Sequence, residues 1–149
     1  MGSTGKSAGS MTDYSALFNG NPAEFFNQLD EIKAEVLANK EQLQKSPLTI
    51  IRDRNHPMTN RQIYDVHQLI RSLTQNDVWG NATGYRIGNN SVSFNSLLTL
   101  PEFSFHAING TQFVGRIAAI RNAGYVADAT FEDRDTLNGE IAYHFVKVR

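Results

Sequence analysis

The chain has 149 residues, 40% apolar and 19% charged, which suits one compact domain with an appendage and excludes wholesale disorder. Fourteen Lys and Arg against fifteen Asp and Glu leave a formal charge of −1, which excludes a broadly cationic nucleic-acid coat but not a local basic patch. The absence of cysteine removes disulfides, thiol catalysis and cysteine-held metals, and no apolar run reaches the roughly 18–20 residues that cross a bilayer. Without a secretory leader at its start, the chain is expected in the cytoplasm of a bacterium or an infected host cell, away from membranes.

Residues 1–20 are expected to form a flexible tail. Met1 to Ser10 is nearly all Gly, Ser, Thr, Ala and Lys, and Met11 follows at once, so residues 1–10 read as an expression scar or a native tail. Gly5-Lys6-Ser7 ends like a phosphate-binding loop, but the strand such a loop needs before it has no room here. Asn21-Pro22 then opens a helix expected to run over residues 21–45: a cap, a proline in the first turn and acidic Glu24. Its apolar residues Phe25, Leu29, Ile32, Val36 and Leu43 form a heptad-like stripe interrupted at Asn39. That stripe either packs on its own domain or pairs two copies through residues 25–43.

Residues 46–58 read as a linker with a short extended piece, Leu48 to Ile51. Asp53 and His56 fall short of the three or four converging ligands a metal site needs. Thr59-Asn60-Arg61-Gln62 is a capping box, and Ile63, Val66, Ile70 and Leu73 repeat at helical spacing behind it. His67 is expected at the rim of that helix's buried stripe rather than as a base. Trp79 is expected as a lid on the core. Tyr85-Arg86-Ile87 and Ser91 to Phe94 flank Gly88-Asn89-Asn90 as a small hairpin.

Leu97, Leu98 and Leu100 suggest a short helix closed by Pro101, and Phe103, Phe105, His106 and Ile108 a turn-like segment. A third helix is expected over Thr111–Ala123, ended by Gly124. A strand from Tyr125, a turn at Asn138-Gly139 and the alternating Ile141–Val148 complete the chain as a hairpin.

Helix, short helix, turn, helix and hairpin is the order of a winged helix-turn-helix domain. The stretch Arg116-Ile117-Ala118-Ala119-Ile120-Arg121-Asn122-Ala123-Gly124-Tyr125-Val126 resembles the recognition-helix end and first wing strand of small phage and bacterial winged helix-turn-helix proteins. Gly139 to Phe145 is similar to their closing wing strand. The resemblance covers about residues 61–149, sharply at only about a dozen positions. The fold class expected is therefore α+β: a winged helix-turn-helix domain over residues 59–149, three helices plus a C-terminal β-hairpin, preceded by the amphipathic N-terminal helix.

The resemblance implies a small, non-enzymatic regulator that binds duplex DNA with helix 111–123 in the major groove. Asn109, Thr111, Gln112 and Arg116 would face bases and Arg121 a phosphate, with no cofactor and no metal. The alternative is a protein-interaction module of the same shape, a viral inhibitor or a virion assembly component, that binds no DNA. Acidic Glu132, Asp133 and Asp135 in the would-be wing favour that alternative, since phosphates repel them.

Overall fold

Short polar residues set the N-terminal helices. In the computed structural model, which describes residues 12–134 except Asn109, together with 141–149, the Asp13 carboxylate accepts from the Ala16 amide and caps α1 (Tyr14–Gly20). The Asn21 side chain likewise accepts from the Glu24 amide at the head of α2 (Pro22–Asn27). The expected flexible tail thus becomes a helix from Tyr14 onward, while residues 1–11 lie outside the described part. The single helix expected over 21–45 is interrupted twice. It breaks at Gln28, resumes as α3 (Leu29–Ala38), breaks at Asn39 and ends in a 3-10 turn over Lys40–Gln44. Phe25, Ile32, Val36 and Leu43 of this segment are all fully buried in the same chain, together with Phe18 of α1. The stripe that offered a pairing seam packs inside its own chain, because its apolar residues find the sheet and α4 first.

β1 (Leu48–Arg52) follows, then α4 (Asn60–Arg71), opened by the expected capping box: Thr59 accepts from the Gln62 amide and the Gln62 side chain accepts from the Thr59 amide. β2 (Asp77–Asn81), β3 (Gly84–Ile87), β4 (Asn90–Val92) and the short α5 (Phe94–Leu97) come next. The hairpin expected around Gly88 is β3–β4. β5 (Glu102–Ala107), a 3-10 turn (Gly110–Phe113), α6 (Val114–Asn122), β6 (Tyr125–Asp133) and β7 (Ile141–Lys147) complete the chain. Gly124 ends α6 with φ +103°, where any Cβ would be strained.

The strands form one seven-stranded mixed sheet in the order β1-β6-β7-β5-β2-β3-β4. β1 lies parallel to β6 and β2 parallel to β5; the other neighbours are antiparallel. Helices cover both faces. Tyr14, Ile32, Val66, Ile70 and Phe131 belong to one core, beneath α1–α4, and Leu97, Phe103, Phe105, Ile120 and Phe145 to the other, beneath α5 and α6.

This arrangement is not a winged helix. The segment expected as an apolar turn, Phe103 to Ala107, is the central strand β5. Phe103, Phe105 and Ala107 point into one core while Ser104 and His106 are buried on the opposite face. The strand is therefore buried on both sides, although its Phe-Ser-Phe-His-Ala sequence alternates as a half-exposed strand would. The helix–glycine–strand segment that carried the resemblance forms a crossover from β5 to β6 within the large sheet. Among the described residues no helix is long and apolar enough to cross a membrane.

Candidate functional site

Strand register brings the polar residues together. One row across the helix-covered face reads Ile50, Phe131, Ala142, His106, Trp79, Arg86, Ser91, each residue opposite the next on the neighbouring strand. The next row reads Leu48, Ala129, His144, Ser104, Asp77. Both rows start apolar under the N-terminal helices and turn polar toward β2. Arg86 and Ser91 are exposed, and Trp79 is half-buried between the covered and open parts of the sheet.

Asp77 is the hub of the polar part. One carboxylate oxygen takes His106 Nε2 at 2.7 Å and Ser104 Oγ at 2.6 Å; the other takes Arg71 Nε at 2.7 Å and Trp79 Nε1 at 3.2 Å. Burial alone would raise the pKa of Asp77, but the bonds from His106 and Ser104 outweigh it and hold the group well below the usual carboxylate range. His106 Nδ1 lies 3.2 Å from His67 Nδ1, so Asp77, His106 and His67 form a chain. Desolvation, with the neighbouring His106 charge next, pushes the His67 pKa down to about 4 and keeps the ring neutral at ordinary pH. Because carboxylate Asp77 only accepts, His106 donates from Nε2.

His67, at one end of this chain, lines a cleft of about 630 Å³ between α4 and the sheet, where Arg52 of β1, Asp133 of β6 and Trp79 of β2 also line it. Trp79 lines it, its indole stacked on the His106 ring at 4.7 Å and 17° and the Arg71 guanidinium 5.8 Å from its centre. Arg52 lines the cleft as well; its Nη1 bonds Asp133 at 2.9 Å, while its buried Nε has no acceptor among the described residues. Tyr64 and Ile108, each more than half exposed, stand in the cleft wall, and the Arg61 guanidinium lies 5.6 Å from the Tyr64 ring. The cleft thus offers a flat aromatic surface, two guanidiniums and the amide side chains of Asn60 and Gln68.

A second buried chain is structural. His144 bridges Asp128 (2.5 Å from Nδ1) and Glu102 (2.9 Å from Nε2), and Lys40 reaches Glu102 at 3.2 Å. A β-bulge between Ala127 and Ala129 turns Asp128 onto the helix-covered face. This chain ties the 3-10 turn over Lys40–Gln44 to the sheet. Among the described residues no group of three or more His, Asp or Glu is arranged to hold a metal ion. Asp53 and His56 bond each other at 2.9 Å.

Of the residues expected to read DNA, Gln112, Arg116 and Arg121 lie on the opposite face. Gln112 and Arg116 are exposed at the head of α6, and the Arg116 guanidinium lies 4.5 Å over the Phe94 ring. Arg121 is exposed further along, 5.7 Å from the Tyr143 ring centre. Asn109 and the side chain of Thr111 lie outside the described part. His67, expected at a rim, is buried at 6% exposure, and Trp79, expected as a core lid, lines the cleft. Sequence reasoning missed the site because its residues come from α4, β2 and β5 and meet only through strand order. The available signal was the alternation Phe103-Ser104-Phe105-His106, which sets Ser104 and His106 on one face of a strand.

Set against known proteins, the chain matches no family model, no curated protein and no solved structure.

Proposed function

We propose that this chain is a binding protein whose cleft takes a small molecule with a flat ring and an acidic group, a carboxylate or a phosphate. The observation that carries the reading is Trp79: a flat ring rigidly backed by His106, in a cleft that also holds Arg52 and Arg71. A ring stacked on the indole would gain about 1–3 kcal/mol, and an arginine matches an anion with charge-assisted, two-pronged bonds. An anion accepting from Arg52 would also satisfy the buried Nε, which otherwise costs about 1–3 kcal/mol.

Trp79 is the only tryptophan, so its fluorescence reports the cleft directly. Titration with adenosine monophosphate and with nicotinate should give saturable quenching, and Arg71→Ala should weaken it by about tenfold at unchanged far-ultraviolet dichroism. Linear, unsaturable quenching by both would refute the reading.

A second reading keeps a regulator that binds duplex DNA through α6, with a protein partner as its alternative. It is favoured by one observation: Gly110 to Asn122 carries Arg116 and Arg121 and no acid, with both arginines exposed. Arg116→Ala would then weaken a salt-sensitive duplex shift; equal mobility shifts for both proteins would count against it.

A further inference from the structure

The strand row that supplies Trp79 to the cleft continues beyond it, onto Arg86 of β3 and Ser91 of β4, both exposed. Adjacent strands are about 4.8 Å apart, so the indole, the guanidinium and the hydroxyl form a track roughly 10 Å long leading out of the cleft. The segment Gly84–Val92 contains Arg86 and no acid, and Arg86 has no carboxylate partner among the described residues. The guanidiniums inside the cleft do have such partners, Asp133 for Arg52 and Asp77 for Arg71, so the one on the track is the most available to a new anion.

A ligand confined to the cleft would give this track no role. From the track we infer that the cleft's occupant is one nucleotide of a single strand of nucleic acid, with its base on Trp79 and the next phosphate on Arg86. This deepens the reading given above and rests on it. The match is chemical: single strands are held by aromatic rings that stack bases and by arginines that follow the backbone. A duplex keeps its bases stacked on each other and offers none to Trp79. Tyr64, exposed in the cleft wall with the Arg61 guanidinium near its ring, supplies a second ring on the other side.

The experiment compares thymidine monophosphate, a labelled single-stranded oligothymidylate of about twelve nucleotides and a mixed-sequence duplex of the same length. Fluorescence of Trp79 and anisotropy of the labelled strand are the readouts, at two salt concentrations. The expected result is that the strand binds at least about tenfold tighter than the mononucleotide, more weakly as salt rises, and tighter than the duplex. Arg86→Ser should remove about fivefold from strand affinity, flatten its salt dependence and leave mononucleotide affinity unchanged. Arg86 is exposed, so its loss leaves the fold intact, and the melting temperature checks this.

Equal affinity for strand and mononucleotide would overturn the inference while leaving the cleft reading in place, and absence of quenching by either would remove both. Duplex binding as tight as the strand, or full competition by polyglutamate at matched charge, would also overturn it, because neither offers a base to stack.

Discussion

At the scale of single residues, His67 and Asp77 couple the cleft to acid. His67 stays neutral in the fold down to about pH 4, whereas a histidine in the unfolded chain takes its proton near about 6.5. Between those values the unfolded state binds more protons. The stability that comes from keeping His67 neutral is therefore complete above about pH 6.5 and lost as pH falls toward 4, by about 3 kcal/mol. Asp77 is depressed in the fold, so its contribution is present above the ordinary carboxylate range and lost at still lower pH. Thermal melts should show a falling melting temperature from pH 6.5 to 4, and His67→Gln should flatten that stretch while sparing the steeper loss below pH 4. An unchanged slope in the variant would assign the effect elsewhere. In the sequence both residues were visible but their environment was not, since desolvation depends on what α4 packs against.

Among the elements, the caps were legible and the breaks were not. Thr59, Gln62, Asn21 and Gly124 act where their spacing placed them, because capping is decided within four residues. Thr59→Ala should lower the unfolding free energy by about 1 kcal/mol in a denaturant titration. The apolar stripe of residues 25–43 showed a face to bury without showing against what. Val36 is fully buried, so Val36→Glu should unfold the chain in denaturant experiments rather than release folded monomers, by placing a charge without a partner in the core. The central strand β5 alternates Phe-Ser-Phe-His-Ala at strand period, but each of its residues from Phe103 to Ala107 is buried, and what covers each face depends on elements distant in the chain. Asp128→Ala should cost about 2–4 kcal/mol by leaving His144 buried beside the gap, at a position only the bulge makes intelligible.

For the molecule as a whole, the sheet divides two cores and two chemistries. Gly80 shows how closely the second layer sits, because a Cβ there would lie 3.1 Å from the Phe113 ring. Phe105, fully buried beside that ring, anchors this layer, and Phe105→Ala should destabilise the fold by about 3–5 kcal/mol. The opposite face carries the polar rows, covered by helices at β1 and β6 and open at β3 and β4. The caps at Asn21 and Thr59, the β3–β4 hairpin and the glycine stop were determined by the amino-acid sequence alone, because each follows from interactions between near neighbours along the chain. Tertiary structure alone decided the strand order, the turning of the N-terminal stripe inward, and the meeting of His67, Asp77, Trp79 and His106. Those depend on which distant strands pair and in what register, and a shift of one residue would send each side chain of the site to the other face.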